Sequence, residues 1–110
     1  MTHITIEKKN GNITTIECDG HTGYGVAGED IVCSALSSIV QTAVLGLFSV
    51  AGINVKLTRD ENKGYLKAIL PSSLSLEQSH DAQVILNTML CGICDLREGF
   101  SDFIELEVKE

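Results

Sequence analysis

The chain has 110 residues, one domain's worth, and 44% of them are apolar, enough for a single core. Ten Gly against one Pro, with no low-complexity run, exclude a disordered or fibrous chain. A net charge of −7 excludes ordinary nucleic-acid binding, which needs cations to displace counterions from phosphates; the same acidity suits a basic partner or simply keeps the chain soluble.

In chain order, Thr2 to Lys9 alternates apolar and polar residues around Ile4 and Ile6. Asn10-Gly11 is a strong hairpin signal, and the β-branched run from Asn12 to Asp19 supplies the second strand. Residues 19–29 form a glycine-rich loop. From Asp30 the apolar spacing turns helical through Ile31, Val32, Ala35, Leu36, Ile39, Val40, Ala43, Val44 and Leu47, and Gly52 is the expected stop. Ile53 to Arg59 and Gly64 to Leu70 read as a second hairpin around the charged turn Asp60-Glu-Asn-Lys63. Ser75 opens a second helix that runs to about Glu98, with Gly99 behind it, and Phe103 to Val108 reads as a last strand. The expected fold is α+β, order ββαββαβ: one domain over 1–110 with a mostly antiparallel sheet and two packed helices.

The first helix raises a membrane question, because no charged residue stands between Asp30 and Lys56. A span needs about 20 apolar residues. Ser34, Ser37, Ser38, Gln41, Thr42 and Ser49 interrupt the run, and no basic cluster flanks it. It reads as a helix inside protein, with no membrane role. The opening MTHITIEKK lacks the apolar stretch of a signal peptide. Cys18, Cys33, Cys91 and Cys94 are therefore expected to be reduced thiols in the cytoplasm.

The chemistry concentrates in HTGYGVAGEDIVCS, His21 to Ser34. If Asp30 caps the helix, Cys33 lies in its first turn, where free N–H groups and the helix dipole favour thiolate over thiol. The same N–H groups would receive an oxyanion. His21, twelve positions before Cys33, is the candidate base, with Gly23, Gly25 and Gly28 letting the loop fold back. Asp30 would cap the helix or orient His21. Ser37, four residues after Cys33, shares its helix face. Residue types alone leave open whether this is a thiol active site or a turn with a buried cysteine.

Cys91-Gly-Ile-Cys94 lacks the second pair of a zinc site and sits late in a helix, so it reads as two core cysteines. GYGVAG lacks the spacing of a phosphate loop, and Glu29 and Asp30 would repel an anion. His3 and His80 read as surface residues. No metal and no cofactor is called for.

The motif resembles the signature of the ribosomal-processing cysteine proteases, the Prp family of bacteria. The residues that carry it are His21, Gly28, Asp30-Ile31-Val32-Cys33 and Ser37, with the same His-to-Cys separation. DAQVILNTMLCGI is similar to the family's second helix. The resemblance implies a Cys–His endopeptidase, with Cys33 and His21 as the pair and a glycine-rich loop over the site. Its substrate would be the N-terminal extension on the precursor of bacterial large-subunit ribosomal protein twenty-seven. It also implies a homodimer, which suits a first helix too apolar for one sheet to cover. The competing expectation is a non-catalytic ribosome-associated protein that docks through the helix and loop; it would not need the thiol of Cys33.

Overall fold

The computed structural model describes residues 1–20 and 29–110, with Glu29 and Asp30 described by their backbone alone. His21, Gly23, Gly25 and Gly28 lie outside the described residues. The element order is β1 (Thr2–Lys9), β2 (Asn12–Gly20), α1 (Glu29–Ser49), β3 (Lys56–Asp60), β4 (Tyr65–Ile69), α2 (Leu76–Gly99) and β5 (Ile104–Lys109). This is the expected ββαββαβ, and the fold is α+β.

The five strands form one sheet in the order β3-β4-β2-β1-β5. Three pairings are antiparallel, and β5 runs parallel to β1 with Thr2 opposite Ile104. The β1–β2 turn places Asn10 at φ 54 and Gly11 at φ 82, the two left-handed positions a tight hairpin turn requires. The register slips between Glu7 and Lys8. Gln83 of α2 repairs the ladder beside that slip: its amide accepts from the Ile13 N–H and donates to the Ile13 C=O, both at 2.8 Å. The Ile13 backbone, which lies beyond the end of the β4 pairing at Thr15, is thereby satisfied without another strand.

Alternation decides the layering. Ile4, Ile6, Ile16, Cys18, Leu66 and Ala68 turn to one face and share a core with Val32, Leu36, Val40, Leu47, Leu86, Met89 and Ile93 of the helices. His3, Glu7 and Asp19 alternate onto the open face. Both helices therefore cover one side of the sheet, and the other side is polar.

The helix α1 is long and apolar enough over Ile31–Ser49 to cross a membrane by length and composition. Here its apolar side is spent on the core, because Val32, Leu36, Val40, Ala43, Val44 and Leu47 are buried. The second helix begins as its sequence directs: the Ser75 hydroxyl accepts from the Gln78 N–H at 3.0 Å, and the Gln78 amide accepts from the Ser75 N–H at 3.2 Å.

Three expectations change. Glu29 is already helical, so Asp30 lies inside the first turn and does not precede it, and Cys33 is the fifth helical residue. Strand β3 starts at Lys56; Ile53 and Val55 are buried but lie outside the ladder. Cys91 and Cys94 are exposed, not core residues. The buried line of α2 is Ala82, Leu86, Met89 and Ile93. Position 91 falls about 200° round from 89, and 94 about 100° round from 93, so helical geometry turns both outward.

Candidate active site

Three elements meet at the start of α1. Cys33 is half-buried on that helix. Below it, Thr2 is the first residue of β1 and is 1% exposed. The Thr2 Oγ1 lies 3.1 Å from the Cys33 Sγ, well within hydrogen-bond reach for a sulfur.

The strand partner of Thr2 is Gly20. A Cβ on Gly20 would stand 3.4 Å from the Thr2 Oγ1 and 3.4 Å from the Gly64 carbonyl oxygen. The Gly20 N–H donates to that same carbonyl at 2.8 Å. Gly64 has φ +63, and a Cβ there would come within 2.4 Å of the Gly20 oxygen. Only glycine meets both demands. Gly20, the residue before His21, is thus pinned between Thr2 and Gly64.

These residues line one open cavity of about 810 Å³, with Cys18, Ser37, Gln41, Leu45 and Tyr65 also on its wall. Ser37 lies one turn beyond Cys33, and its hydroxyl accepts from the Gln41 side-chain amide. Across the cavity, the Tyr65 hydroxyl donates to Glu17 at 2.6 Å, which pushes its pKa up to about 12, with burial and Asp19 adding to the shift. The turn between β3 and β4 is held by the Asp60 side chain, which accepts from the Asn62 and Lys63 N–H groups.

Cys18 is the second thiol on this wall. Burial, then the neighbouring Cys33 and then Asp19 push it up to about 12. A buried thiolate with negative charge near it is disfavoured on both counts. At neutral pH Cys18 stays a thiol.

Of the residues singled out from sequence, the structure brings Cys33 and Ser37 to the cavity and sets Asp30 in the helical turn before Cys33. His3 and His80 are exposed and face Glu105 and Asp81 at 3.3 and 3.2 Å. Among the described residues no group of His, Cys, Asp and Glu is placed to hold a metal ion. Thr2, Cys18, Gly20, Gly64 and the Tyr65–Glu17 pair escaped the sequence reading. Thr2 had a signal: it stands in phase with Ile4 and Ile6, a hydroxyl on the core-facing side of a strand.

The structure sets the Cys33 thiol on the wall of an open cavity, and comparison with known proteins gives the class of enzyme. Residues 1–105 match the family of the cysteine protease Prp, and the chain belongs to that family of enzymes. The ribosomal processing cysteine protease Prp of Staphylococcus aureus is 29% identical over 100 residues, covering 90% of each chain. Its counterpart from Bacillus subtilis is 27% identical over 103 residues, covering 93% of this chain and 92% of the other. A crystal structure of a Streptococcus mutans protein superposes with a TM-score of 0.88 at 31% identity, covering 99% of this chain and 94% of that one. The Staphylococcus aureus protease with a covalently linked product peptide superposes with a TM-score of 0.84 at 26% identity, covering 99% and 100%.

Proposed function

We propose that this cysteine protease removes the N-terminal extension of bacterial large-subunit ribosomal protein twenty-seven, in the cytoplasm, with Cys33 as nucleophile and His21 as base. The observation that carries the reading is the placement of the Cys33 thiol on the cavity wall beside Gly20, the residue that leads into His21. The relatives' name, ribosomal processing cysteine protease, supplies the substrate class. A basic ribosomal tail also suits a chain of net charge −7.

His21 takes the proton from the Cys33 Sγ, and the thiolate attacks the scissile carbonyl carbon. Backbone N–H groups at the start of α1 receive the oxyanion. The C–N bond breaks as His21 returns its proton to the leaving amine. Water then hydrolyses the thioester, releasing the carboxylate and regenerating the thiol. Asp30 orients His21 or supports the helix start, Ser37 borders the substrate, and Gly23, Gly25 and Gly28 let the loop admit a peptide. No metal or cofactor takes part.

The active form is a homodimer. The outward side of α1 carries Ile31, Leu45 and Phe48, which are 71%, 63% and 37% exposed, with Leu45 at the edge of the cavity. A second copy would cover them.

The test is cleavage of a synthetic peptide that spans the extension junction. The parent cleaves it, and Cys33→Ser and His21→Ala lose at least about 10³-fold in kcat/KM. Equal cleavage by Cys33→Ser would remove Cys33 from the mechanism. A parent that leaves the junction intact but cleaves other peptides would reassign the substrate.

A further inference from the structure

We infer that Thr2 is a positioning residue for the reactive sulfur: its hydroxyl donates a hydrogen bond to the Cys33 thiolate, holds it toward the cavity and favours its ionised form. The inference rests on Cys33 as the nucleophile and adds a part that the His–Cys pair does not contain.

The contact itself is 3.1 Å from the Thr2 Oγ1 to the Cys33 Sγ. A hydroxyl can accept from a thiol and donate to a thiolate, so it stays paired through the whole cycle. Donation to the charged form stabilises that form, and burial strengthens the effect.

Thr2 is also unusually well held. It sits in an interior strand, opposite Gly20 on one side and Ile104 on the other. Its own N–H donates to the Phe103 carbonyl at 2.9 Å. Its side chain is β-branched, which leaves few χ1 states, and the Gly20 backbone packs against it across the strand pair. A donor with so little freedom spends little entropy on each turnover.

Among the described residues, the Thr2 hydroxyl is the one whose hydrogen-bond distance to the Cys33 sulfur is set by the fold. Cys18 is a buried thiol that keeps its proton, a weak donor at best. Tyr65 donates to Glu17. The other ionisable groups on the cavity wall are Arg59 and Glu61, which face each other at 2.7 Å, and Asp60, which is engaged in its own turn.

The experiment compares Thr2→Val, which keeps shape and loses the hydroxyl, with Thr2→Ser, which keeps the hydroxyl. Two quantities are read: the rate of iodoacetamide modification at Cys33 from pH 5 to 9, located by peptide mapping, and kcat and KM on the junction peptide. For Thr2→Val the modification rate at pH 7 falls about tenfold and its rise moves to higher pH, the size expected for a lost hydrogen bond to a charged group. In the same variant kcat falls by a similar factor with KM little changed. Thr2→Ser stays within about twofold of the parent on both readouts. An unchanged pH course in Thr2→Val would overturn the inference. So would an equal loss in both variants, because packing alone would then explain it. Should Thr2→Val fail to fold, Thr2→Ser decides alone: retained reactivity supports the role and lost reactivity ends it. Cleavage surviving in Cys33→Ser would instead fell the nucleophile assignment. An inert Cys33→Ser beside an unaltered Thr2→Val fells only Thr2.

Discussion

The two helices share one core and differ in everything else. Both lie on the same side of the sheet, at 21 and 24 residues. The outer surface of α2 is mostly polar, with Glu77, Asn87, Thr88, Asp95 and Glu98 exposed beside the apolar Leu76 and Val84, and its start is closed by a reciprocal cap. The outer surface of α1 instead keeps Ile31, Leu45 and Phe48 in view, and the start of this helix presents a thiol to a cavity. One helix opens on a closed cap; the other opens on a cavity and carries a half-buried thiol on its wall.

The largest stability effect belongs to α2. Leu86 is 2% exposed in the core, and Leu86→Ala should cost about 2–5 kcal/mol by transfer and cavity terms. Denaturant unfolding measures the cost, and the fraction still folded should cleave as the parent does. Loss of cleavage without loss of stability would mean that α2 also shapes the site.

An alkaline titration reports on the site instead. Cys18 keeps its proton in the folded chain to about pH 12, whereas its ordinary value is 9.0. Below about pH 9 the thiol is protonated in both states and contributes nothing to the pH dependence. Between about 9 and 12 only the unfolded chain releases the proton, so stability falls by about 1.4 kcal/mol per pH unit. Tyr65 adds its own fall above its ordinary value of 10.0. Unfolding curves of the parent and Cys18→Ala across this window should show a shallower decline in the variant; parallel declines would remove Cys18 as the source.

A smaller effect returns to the α2 cap. Ser75→Ala should cost about 1 kcal/mol and leave peptide cleavage untouched. The smallest stability change is expected at Leu45→Asp, within about 0.5 kcal/mol for the monomer, while light scattering should show the dimer dissociating. A variant that remains dimeric would move the interface away from the outer face of α1.

Much of the frame could be read in advance because its signals are local. Asn10-Gly11 marks its turn, alternation marks β1 and β2, and Ser75 with Gln78 marks a helix start. Of the candidate site, the helical phase that sets Ser37 on the same cavity wall as Cys33 was readable; His21 lies outside the described residues. Cys91 and Cys94 were misread as core because a two-residue spacing in an apolar-looking segment does not show which side of the helix is covered. Asp30 was misplaced by one residue because capping residues occur on either side of a helix start.

Sequence by itself determined the order ββαββαβ, the family signature in His21 to Ser37 and the aliphatic core, all of which depend on residues near one another in the chain. Only the tertiary structure decided that β5 runs parallel to β1, that Gly64 closes against Gly20, and that the Thr2 hydroxyl meets the Cys33 sulfur. Those contacts join residues from 31 to more than 100 positions apart. No local propensity encodes such pairings; they follow from the sheet register and from which faces the helices cover.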